Sequence, residues 1–488
     1  MVAMGRRQRD TEPPEFSETD PMSSAGDLAG VAGERRASAA LALAWRPADV
    51  PAADRMRLHG RVQVGRAPKA DWPIADRRLS SAHFEVLLGG GNAAIRDLGS
   101  RNGTFVNGAR LGGPRPLLDQ DVIRAGRCLF VYVADAAAMT LEVGASGGSH
   151  GMAGPFHSPV LLDHVAEAVR TGRHLLLEGE TGVGKELVAR AVHRIGHAGR
   201  PFVAHNCAAF ASSEDAETAL FGVVRGAFTG VEARAGLLER AHGGVLYLDE
   251  LPNLPLRVQR SLLRFAEDGE YARIGDAARR RAQVRLLLGT NRPVVEAMAG
   301  GVLAHDLVAR THRLFIPPLG RRRADVPAIF VAALTVEALR AGLAPESCAA
   351  ALNPDAIEAL TLGDFEGNNV RFLQDLAAAV CVRLALTPVD EWPRMAAGVF
   401  LERFFGSPVL ARYAQAGEPA EPPARVSPYE ANREAILRAY GECGGSLSAV
   451  EAALRERGLA VHRRWLAEFL DRWGVRRRRA RRKPDESK

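Results

Sequence analysis

The stretch GETGVGKE, residues 179–186, combines glycines and a lysine at a spacing suited to binding phosphate groups. The apolar run HLLLEG leads into it and the amphipathic run KELVARAVHRI leaves it, which predicts a strand, a tight loop and a helix. Glycines allow backbone N–H groups to point inward around phosphates, and the helix N-terminus adds the positive end of its dipole. Lys185 would place its charge on the β/γ-phosphates. The predicted nucleotide-binding residues are Gly179, Glu180, Thr181, Gly182, Val183, Gly184, Lys185 and Glu186.

Two acids at the end of a second apolar run extend this chemistry. GVLYLDE ends in Asp249 and Glu250. Asp249 is predicted to hold Mg²⁺, and Glu250 to polarise the water that attacks the terminal phosphate. A third apolar run, LLLGTN, ends in Asn291, which would orient that water. Acids at a strand end often form only a polar cap, but with Lys185 upstream the pattern favours hydrolysis of ATP with Mg²⁺.

The elements that position these residues follow from the alternation of apolar and polar segments. Strand-like and helix-like runs alternate from residue 155 to 391, which predicts an α/β domain with a mainly parallel sheet and a helical lid. Short alternating runs broken by Gly, Asn and Asp predict a β-sandwich over residues 55–138. The remaining segments are a disordered N-terminus (1–50), linkers (139–154 and 392–429), an all-helical end (430–474) and a basic tail (475–488).

Composition limits the class of protein. The chain has 488 residues, of which 47% are hydrophobic and 25% charged, as in soluble multidomain proteins. Five scattered cysteines indicate a reducing, cytoplasmic location without zinc or disulfides. The tail at 475–488 holds eight basic and two acidic residues, nearly the whole net charge of +7. Such a block fits either nucleic-acid contact or a solvated tail.

The order of several motifs resembles that of bacterial enhancer-binding proteins, the AAA+ activators of sigma-54 RNA polymerase. The motifs are GETGVGKE, LFGVVRGAFTGV, AHGGVLYLDEL, RIG, LLLGTN and PPLGRRRADVP. The resemblance covers roughly residues 155–386. It implies a ring-forming ATPase, expected to be a hexamer, whose GAFTGA loop contacts sigma-54. In this chain the loop reads GAFTGV, with Phe228 and Thr229 as the expected contacts.

The resemblance also implies roles for three further residues. Asn206 matches an asparagine that holds the catalytic glutamate until ATP is sensed. Arg310 matches an arginine finger that acts on the neighbouring subunit's nucleotide, and Arg371 matches a sensor arginine. The chain departs from the family at Ala304, where a second arginine is usual, at Val231, and in EGNNVRFL, which replaces WPGNVREL.

Residues 62–133 resemble a forkhead-associated (FHA) domain. The similar stretches are VQVGR, LSSAHFEV, IRDLGSRNGTFVNG and LDQDVIRAG. The resemblance implies a reader of phosphothreonine, whose phosphate has three strong acceptor oxygens. Arg66, Ser80 and Arg101 are expected to bind the phosphate, and Asn102 the peptide backbone. His83 is expected to support the loop from beneath.

The helical end resembles the Fis-type helix-turn-helix of enhancer-binding proteins. NREAILRAYGECGG and SLSAVEAALRERG predict two helices, and AVHRRWLAEFLDRWG a third with an apolar back and a basic front. The expected DNA-binding residues are His462, Arg463, Arg464 and Arg472. A three-helix interaction bundle with the aromatics as its core is the alternative reading of the same pattern.

Two functions from different classes remain open at this stage. The first is a sigma-54-dependent activator that binds upstream DNA, senses a phosphothreonine protein such as a Ser/Thr kinase or its substrate, and uses ATP to remodel the closed promoter complex. The second is a DNA-bound phosphoprotein scaffold with a weak ATPase that does not open promoters. The departures at Ala304, Val231 and EGNNVRFL favour the second.

Overall fold

A computed structural model provides the coordinates. It describes residues 39–89, 92–139, 149–227, 232–352, 354–365, 367–392, 432–457, 466, 470 and 473–475. Residues 1–38, most of the two predicted linkers and residues 476–488 of the basic tail lie outside this set. Within the described ranges, no helix is both long and apolar enough to cross a membrane.

The N-terminal region is a sandwich of two sheets, as the alternating pattern predicts. One sheet has the strand order β2-β1-β11-β10-β7-β8 and the other β4-β3-β5-β6-β9. All pairs are antiparallel except β3 with β4. The strands are β1 (Ala40–Trp45), β2 (Arg55–Arg57), β3 (Arg61–Gly65), β4 (Trp72–Pro73), β5 (Phe84–Gly89), β6 (Asn92–Asp97), β7 (Thr104–Val106), β8 (Ala109–Arg110), β9 (Arg115–Leu117), β10 (Val122–Ala125) and β11 (Cys128–Val133).

The start of this sandwich differs from the prediction. The composition of residues 1–50 predicts disorder, yet β1 lies inside that segment and pairs with β11, its neighbour in the sheet. Ala40, Leu41 and Ala42 are fully buried. The run ALALAW is apolar without polar alternation, because both of its faces are covered, and its partner strand lies far away in the sequence. Local periodicity therefore could not identify it.

The α/β domain is built on a five-stranded parallel sheet with the order β13-β16-β19-β12-β20. Its strands are β12 (His174–Glu178), β13 (Phe202–Asn206), β16 (Val245–Asp249), β19 (Arg285–Thr290) and β20 (Thr311–Phe315). Two small antiparallel pairs flank it: β14 (Gly222–Val223) with β15 (Arg234–Ala235), and β17 (Glu270–Tyr271) with β18 (Arg280–Arg281). The helices are α1 (His157–Thr171), α2 (Lys185–Gly196), α3 (Ser213–Phe221), α4 (Leu237–Arg240), α5 (Leu256–Asp268), α6 (Val294–Ala299) and α7 (His305–Ala309).

A helical lid follows the sheet. It consists of α8 (Val326–Arg340), α9 (Pro345–Ala350), α10 (Pro354–Leu362) and α11 (Asn369–Ala385). Two helices are described near the C-terminus: α12 (Arg433–Glu442) and α13 (Leu447–Glu456). Ser446 precedes α13 as expected for an N-cap, but its hydroxyl lies 3.2 Å from that of Ser448 and makes no capping bond.

Candidate nucleotide and phosphopeptide sites

The stretch GETGVGKE, residues 179–186, is called the Walker loop from here on. It joins β12 to α2, and two of its glycines have backbone conformations that favour glycine. Gly182 has φ 75° and Gly184 has φ 105°, both in the left-handed region. Gly182 also has no room for a side chain, since a Cβ there would lie 2.3 Å from the carbonyl oxygen of Asn368. The loop is therefore shaped by its glycines and by its contact with the lid.

Lys185 begins α2 and points into the loop. Its side chain is buried, and Nζ donates to the carbonyl oxygens of Gly179 at 2.9 Å and Glu180 at 3.1 Å. Burial lowers the pKa of Lys185, and the charges of Asp249 and Glu250 oppose that shift. Phosphate oxygens are stronger acceptors than these carbonyls, so the ammonium can transfer its hydrogen bonds to a nucleotide.

Asp249 and Glu250 lie at the carboxyl edge of the sheet. Oδ1 of Asp249 accepts from the backbone N–H of Glu250 at 2.9 Å, and Oε2 of Glu250 accepts from Nδ2 of Asn253 at 3.0 Å. Glu250 has φ 53°, a left-handed conformation that is unusual for a residue with a Cβ. Residues in such strained conformations cluster at functional sites. Gly289 leaves room for the acid, because a Cβ there would lie 2.4 Å from Oδ1 of Asp249.

Two asparagines lie at the carboxyl edge of the sheet, Asn206 at the end of β13 and Asn291 directly after β19. Asn206 pairs in register with Asp249, and its side-chain oxygen accepts from the N–H of Ala208 at 2.8 Å. That oxygen is held by its own turn, so the role of Asn206 toward Glu250 stays a prediction. Nδ2 of Asn291 donates to Oγ1 of Thr181 at 3.5 Å, which places Asn291 against the Walker loop.

The start of α11 contacts the Walker loop directly. The N–H of Val370 donates to the carbonyl of Gly182 at 3.0 Å, and Nδ2 of Asn369 donates to Oε2 of Glu180 at 3.0 Å. Arg371 is exposed on the first turn of α11, with its Cβ 3.6 Å from where a Cβ of Gly182 would stand. The predicted sensor residue thus lies beside the predicted phosphate loop.

Two further residues of the candidate site, Asn369 and Arg322, belong to no motif that predicts a role in it. Asn369 is fully buried. Arg322 is 4% exposed, and its Nη2 donates to the carbonyl of Val183 in the Walker loop at 2.8 Å. Burial lowers the pKa of Arg322, and the charge of Asp325 opposes this. Arg322 is the middle of three consecutive arginines, and no local signal distinguishes the one that becomes buried.

A cavity of about 660 Å³ lies between the Walker loop and the lid. Its lining includes Val183, Gly184, Arg322, Val370 and Gln374. The volume and the largely apolar lining are typical of small-ligand sites.

The donor set also fits Mg²⁺. Asp249 and Glu250 supply carboxylate oxygens beside the phosphate loop, and Mg²⁺ prefers oxygen ligands, with phosphates and waters completing its shell. Asp249 is the residue that would hold the ion. Glu186 stands where Walker loops usually carry a hydroxyl ligand, and it forms an ion pair with Arg190 at 2.6 Å instead.

Arg310 lies away from this chain's own phosphate loop. It ends α7, its side chain is 63% exposed, and its Nη2 lies 3.0 Å from Oε1 of Glu267 on α5. The role of Arg310 as a trans-acting arginine finger stays a prediction. At Ala304, the position of the absent second arginine, the backbone N–H donates to Oε1 of Gln259 at 2.9 Å.

The GAFTGV loop is described as far as Ala227. Its base is braced by the segment between β17 and β18: Ile274 donates to the carbonyl of Gly222 at 2.8 Å and accepts from the N–H of Val224 at 3.1 Å. Gly275 packs against the loop, because a Cβ there would lie 2.5 Å from the Cβ of Ala227. The predicted contact residues Phe228 and Thr229, with Val231, lie outside the described residues.

The four predicted phosphopeptide residues lie on adjacent loops of the sandwich. Nε of Arg66 donates to the carbonyl of Leu79 at 3.3 Å, and Oγ of Ser80 accepts from the N–H of Arg101 at 3.1 Å. Nδ2 of Asn102 donates to the carbonyl of Arg78 at 2.6 Å. Arg66, Arg101 and Asn102 are exposed.

His83 lies beneath these loops. Its Nδ1 accepts from the N–H of Ser80 at 3.0 Å, and its Nε2 donates to the carbonyl of Gly103 at 3.2 Å. Burial lowers the pKa of His83, while the hydrogen bond to Gly103 opposes the shift. The neutral ring therefore connects the loop that carries Ser80 to the loop that carries Asn102.

The predicted DNA-binding side chains are outside the part of the chain that the structure describes; they are His462, Arg463, Arg464 and Arg472. Of the third predicted helix, Leu466 and Leu470 are described. They are fully buried in one cluster with Ile436, Val450 and Leu454 from α12 and α13. The apolar back of that segment is thus core, which both readings of the helical end expect.

Comparison with known proteins agrees with this division of the chain. Residues 157–317 match the family of the Sigma-54 interaction domain, and residues 62–126 match the FHA domain. The Phenol regulator MopR of Acinetobacter guillouiae is 45% identical over 171 residues, which cover 34% of this chain and 30% of MopR. The DNA-binding transcriptional regulator NtrC of Salmonella typhimurium (strain LT2) is 34% identical over 302 residues, or 60% of this chain and 62% of NtrC.

A solved structure of NtrX from Brucella abortus in complex with ATP has a TM-score of 0.44 and 25% identity, and the match covers 70% of each chain. The matched part spans only 30–31% of the length of the first three curated relatives. The predicted sandwich and α/β domain are nevertheless confirmed at the level of domain families. Residues 62–126 form an FHA domain and residues 157–317 form a sigma-54 interaction domain, in a chain whose relatives include named transcriptional regulators.

Proposed function

We propose that this protein is a sigma-54-dependent transcriptional activator. It would hydrolyse ATP and use the GAFTGV loop to remodel the closed complex of sigma-54 RNA polymerase at promoters. The observation that carries this proposal is the convergence of Lys185, Asp249, Glu250 and Asn291 at one edge of the sheet in a sigma-54 interaction domain.

The chemistry of the site follows from its groups. The Walker loop and Lys185 would hold the β/γ-phosphates, and Asp249 would hold Mg²⁺, which would neutralise phosphate charge when bound. Glu250 polarises the attacking water, and Asn291 orients it. Arg310 is exposed on the other side of the domain and would stabilise the transition-state charge in a neighbouring subunit, so turnover would depend on assembly into a ring, expected to be a hexamer.

The state of the bound nucleotide and the contact with sigma-54 would be coupled through the base of the GAFTGV loop. The segment that braces Gly222 and Val224 lies between β17 and β18, which follow α5, and α5 also carries Glu267, the ion-pair partner of Arg310. The base of the GAFTGV loop is therefore braced by the segment that follows α5, and α5 carries the residue that pairs with Arg310. Phe228 would supply the apolar contact with sigma-54, and Thr229 the polar contact.

Input and DNA attachment would lie at the two ends of the chain. The FHA loops would bind a phosphothreonine protein through Arg66, Ser80, Arg101 and Asn102. The C-terminal helices and basic tail would hold upstream DNA, mainly through phosphate contacts.

A test of the activator function is ATP-dependent binding of purified sigma-54. We expect the native chain to form a complex with ATP, and Phe228→Ala to lose the complex while keeping ATP turnover. Lys185→Ala should lose both, because it removes the phosphate contact. Binding of sigma-54 that is equal with and without ATP, or that Phe228→Ala does not reduce, would contradict the proposal.

The scaffold function remains the second candidate, because Ala304 lacks the side chain of a second arginine and EGNNVRFL departs from the family. Formation of open complexes on a sigma-54 promoter separates the two functions. The activator opens the promoter only with ATP, whereas the scaffold binds DNA and does not open it.

Phosphopeptide reading is tested by calorimetric titration of the full chain with a phosphothreonine peptide and its unphosphorylated form. Binding that requires the phosphate and is lost in Arg66→Ala supports the FHA role. Equal binding of both peptides would contradict it.

A further inference from the structure

One sheet of the FHA domain is buried on both of its faces at its central strands. In β1, Leu41 and Leu43 belong to the core of the sandwich, whereas Ala40 and Ala42 belong to a second cluster shared with the lid. The strand β11 divides in the same way, and all six of its residues are buried. Antiparallel sheets commonly leave one face to solvent, so the covered outer face marks a docking surface.

The lid of the ATPase occupies that surface. The shared cluster contains Val122 and Val131 from the sandwich and Phe330 and Leu360 from α8 and α10, all fully buried. Burial of a continuous apolar interface of this kind favours a fixed arrangement of two domains over a flexible tether.

Polar contacts position the interface. Arg124 of β10 forms an ion pair with Glu358 of α10, whose side chain is fully buried. The guanidinium of Arg55 lies 4.9 Å from the ring centroid of Phe156, the residue just before α1. Buried charges and stacked cations need their partners in place, so these contacts select one docking geometry.

Gln120 contacts a segment that also contacts the nucleotide loop. Its side-chain oxygen accepts from the backbone N–H of Arg323 at 2.9 Å, and the adjacent Arg322 donates to the carbonyl of Val183 in the Walker loop at 2.8 Å. Gln120 itself has φ 65° and is 6% exposed. The left-handed region favours glycine, so a glutamine there is strained, and its side chain is held by the backbone of Arg323, just before the lid.

We propose that the FHA domain is docked rigidly against the ATPase domain and that Gln120 is a positioning residue. Through residues 322 and 323, Gln120 holds the Walker loop in its nucleotide-binding form. The proposal rests on the nucleotide binding proposed above. The phosphopeptide loops lie outside the interface, since Arg66, Arg101 and Asn102 stay exposed. Binding of a phosphothreonine peptide and positioning of the nucleotide site would thus use different parts of the same sandwich.

The variant Gln120→Gly tests this directly. Glycine adopts φ 65° without strain, so the sandwich should keep its melting temperature while it loses the bond to Arg323. In the full chain we expect a fluorescent ADP analogue to bind about fivefold more weakly, in line with one lost hydrogen bond. The KM for ATP should rise by a similar factor with kcat unchanged, a split that general destabilisation does not produce.

Two variants make the outcome decisive. Arg61→Ala removes an exposed side chain whose ion-pair partner, Glu85, is on the sandwich, and it should leave ADP-analogue affinity unchanged. Lys185→Ala should abolish binding in the same assay; if it does not, the nucleotide site is wrong rather than the role of Gln120. Unchanged affinity in Gln120→Gly, loss of its fold, or an equal loss in Arg61→Ala would each overturn the proposal.

Discussion

Single residues in the nucleotide site are placed by backbone geometry as much as by side-chain chemistry. Glu250 follows a buried strand in a left-handed conformation and is held by Asn253. Lys185 is buried among carbonyl oxygens that a phosphate can replace. Because each group is held before a ligand arrives, changes to one of them should affect one step and leave others intact.

Glu250→Gln is expected to separate binding from turnover. The substitution keeps the shape of the side chain and its contact with Asn253, but it removes the carboxylate that polarises water. We expect ADP-analogue affinity to stay within about twofold and ATP turnover to fall roughly 10²- to 10⁴-fold. Phosphate release and fluorescence titration measure the two effects. Turnover near the native rate would show that another group activates the water.

His83 is expected to remain neutral at a pH where free histidine is charged. Burial lowers its pKa, so the folded chain binds fewer protons there than the unfolded chain does. The stability from neutral His83 is therefore complete above the unfolded value of about 6.5 and is lost as the pH falls. Imidazole resonances of the ¹³C-histidine-labelled chain, assigned with His83→Gln, should place its midpoint below 6.5. A midpoint above that value would show that burial does not control the protonation of His83.

At the scale of elements, the Walker loop and the start of α11 act as a pair. Gly182 accepts a hydrogen bond from Val370 and leaves no room for a Cβ against Asn368. The carboxyl ends of the parallel strands meet at the same edge, where they bring Asp249 and Asn206 into register. The site therefore depends on how the lid meets the sheet, which sequence motifs do not describe.

Gly182→Ala should disturb the contact between the Walker loop and the lid, and Gly199→Ala provides a matched control. Both glycines have φ 75°, so alanine costs about 1 kcal/mol of backbone strain at either position. Only at Gly182 would the new Cβ clash with a neighbour, since nothing lies within 4 Å of one at Gly199. We expect Gly182→Ala to lower the melting temperature more and to weaken ADP-analogue binding at least tenfold. Equal effects of the two variants would argue against the lid contact.

At the scale of the whole molecule, the described domains form a connected assembly. The sandwich, the lid and the sheet share contacts through Gln120, Arg322 and Asn369. Arg310 lies apart from them, on the exposed end of α7. If the proposed finger role of Arg310 holds, a complete catalytic site would need a second subunit to bring its Arg310 to this chain's nucleotide.

Mixing two inactive variants tests this requirement. Arg310→Ala keeps an intact nucleotide site, and Lys185→Ala keeps an intact arginine finger. In a mixed ring, some subunit interfaces should therefore combine an intact nucleotide site with an intact Arg310 from the neighbouring subunit. We expect the mixture to turn over ATP well above the sum of the separate proteins. Glu267→Ala, which removes only the ion-pair partner of Arg310, should not reduce turnover. A mixture no more active than its components would exclude action between subunits.

The sequence by itself determined the local parts of this protein. GETGVGKE, GVLYLDE and LLLGTN predicted the loop and strand ends of the nucleotide site, because glycine conformations and strand periodicity are properties of short segments. The alternating runs at 55–138 predicted the sandwich for the same reason. These features depend on neighbours within a few residues, and the structure shows the strands and loop where the patterns placed them.

The tertiary structure decided what joins these parts. It made β1 a strand, selected Arg322 among three arginines and brought Gln120 against the lid. Each of these depends on a partner many positions away in the chain, so local composition carries no signal for it. Burial of a sheet on its second face is likewise a property of how whole elements pack, because only the packed lid distinguishes Ala40 and Ala42 from residues of an exposed strand.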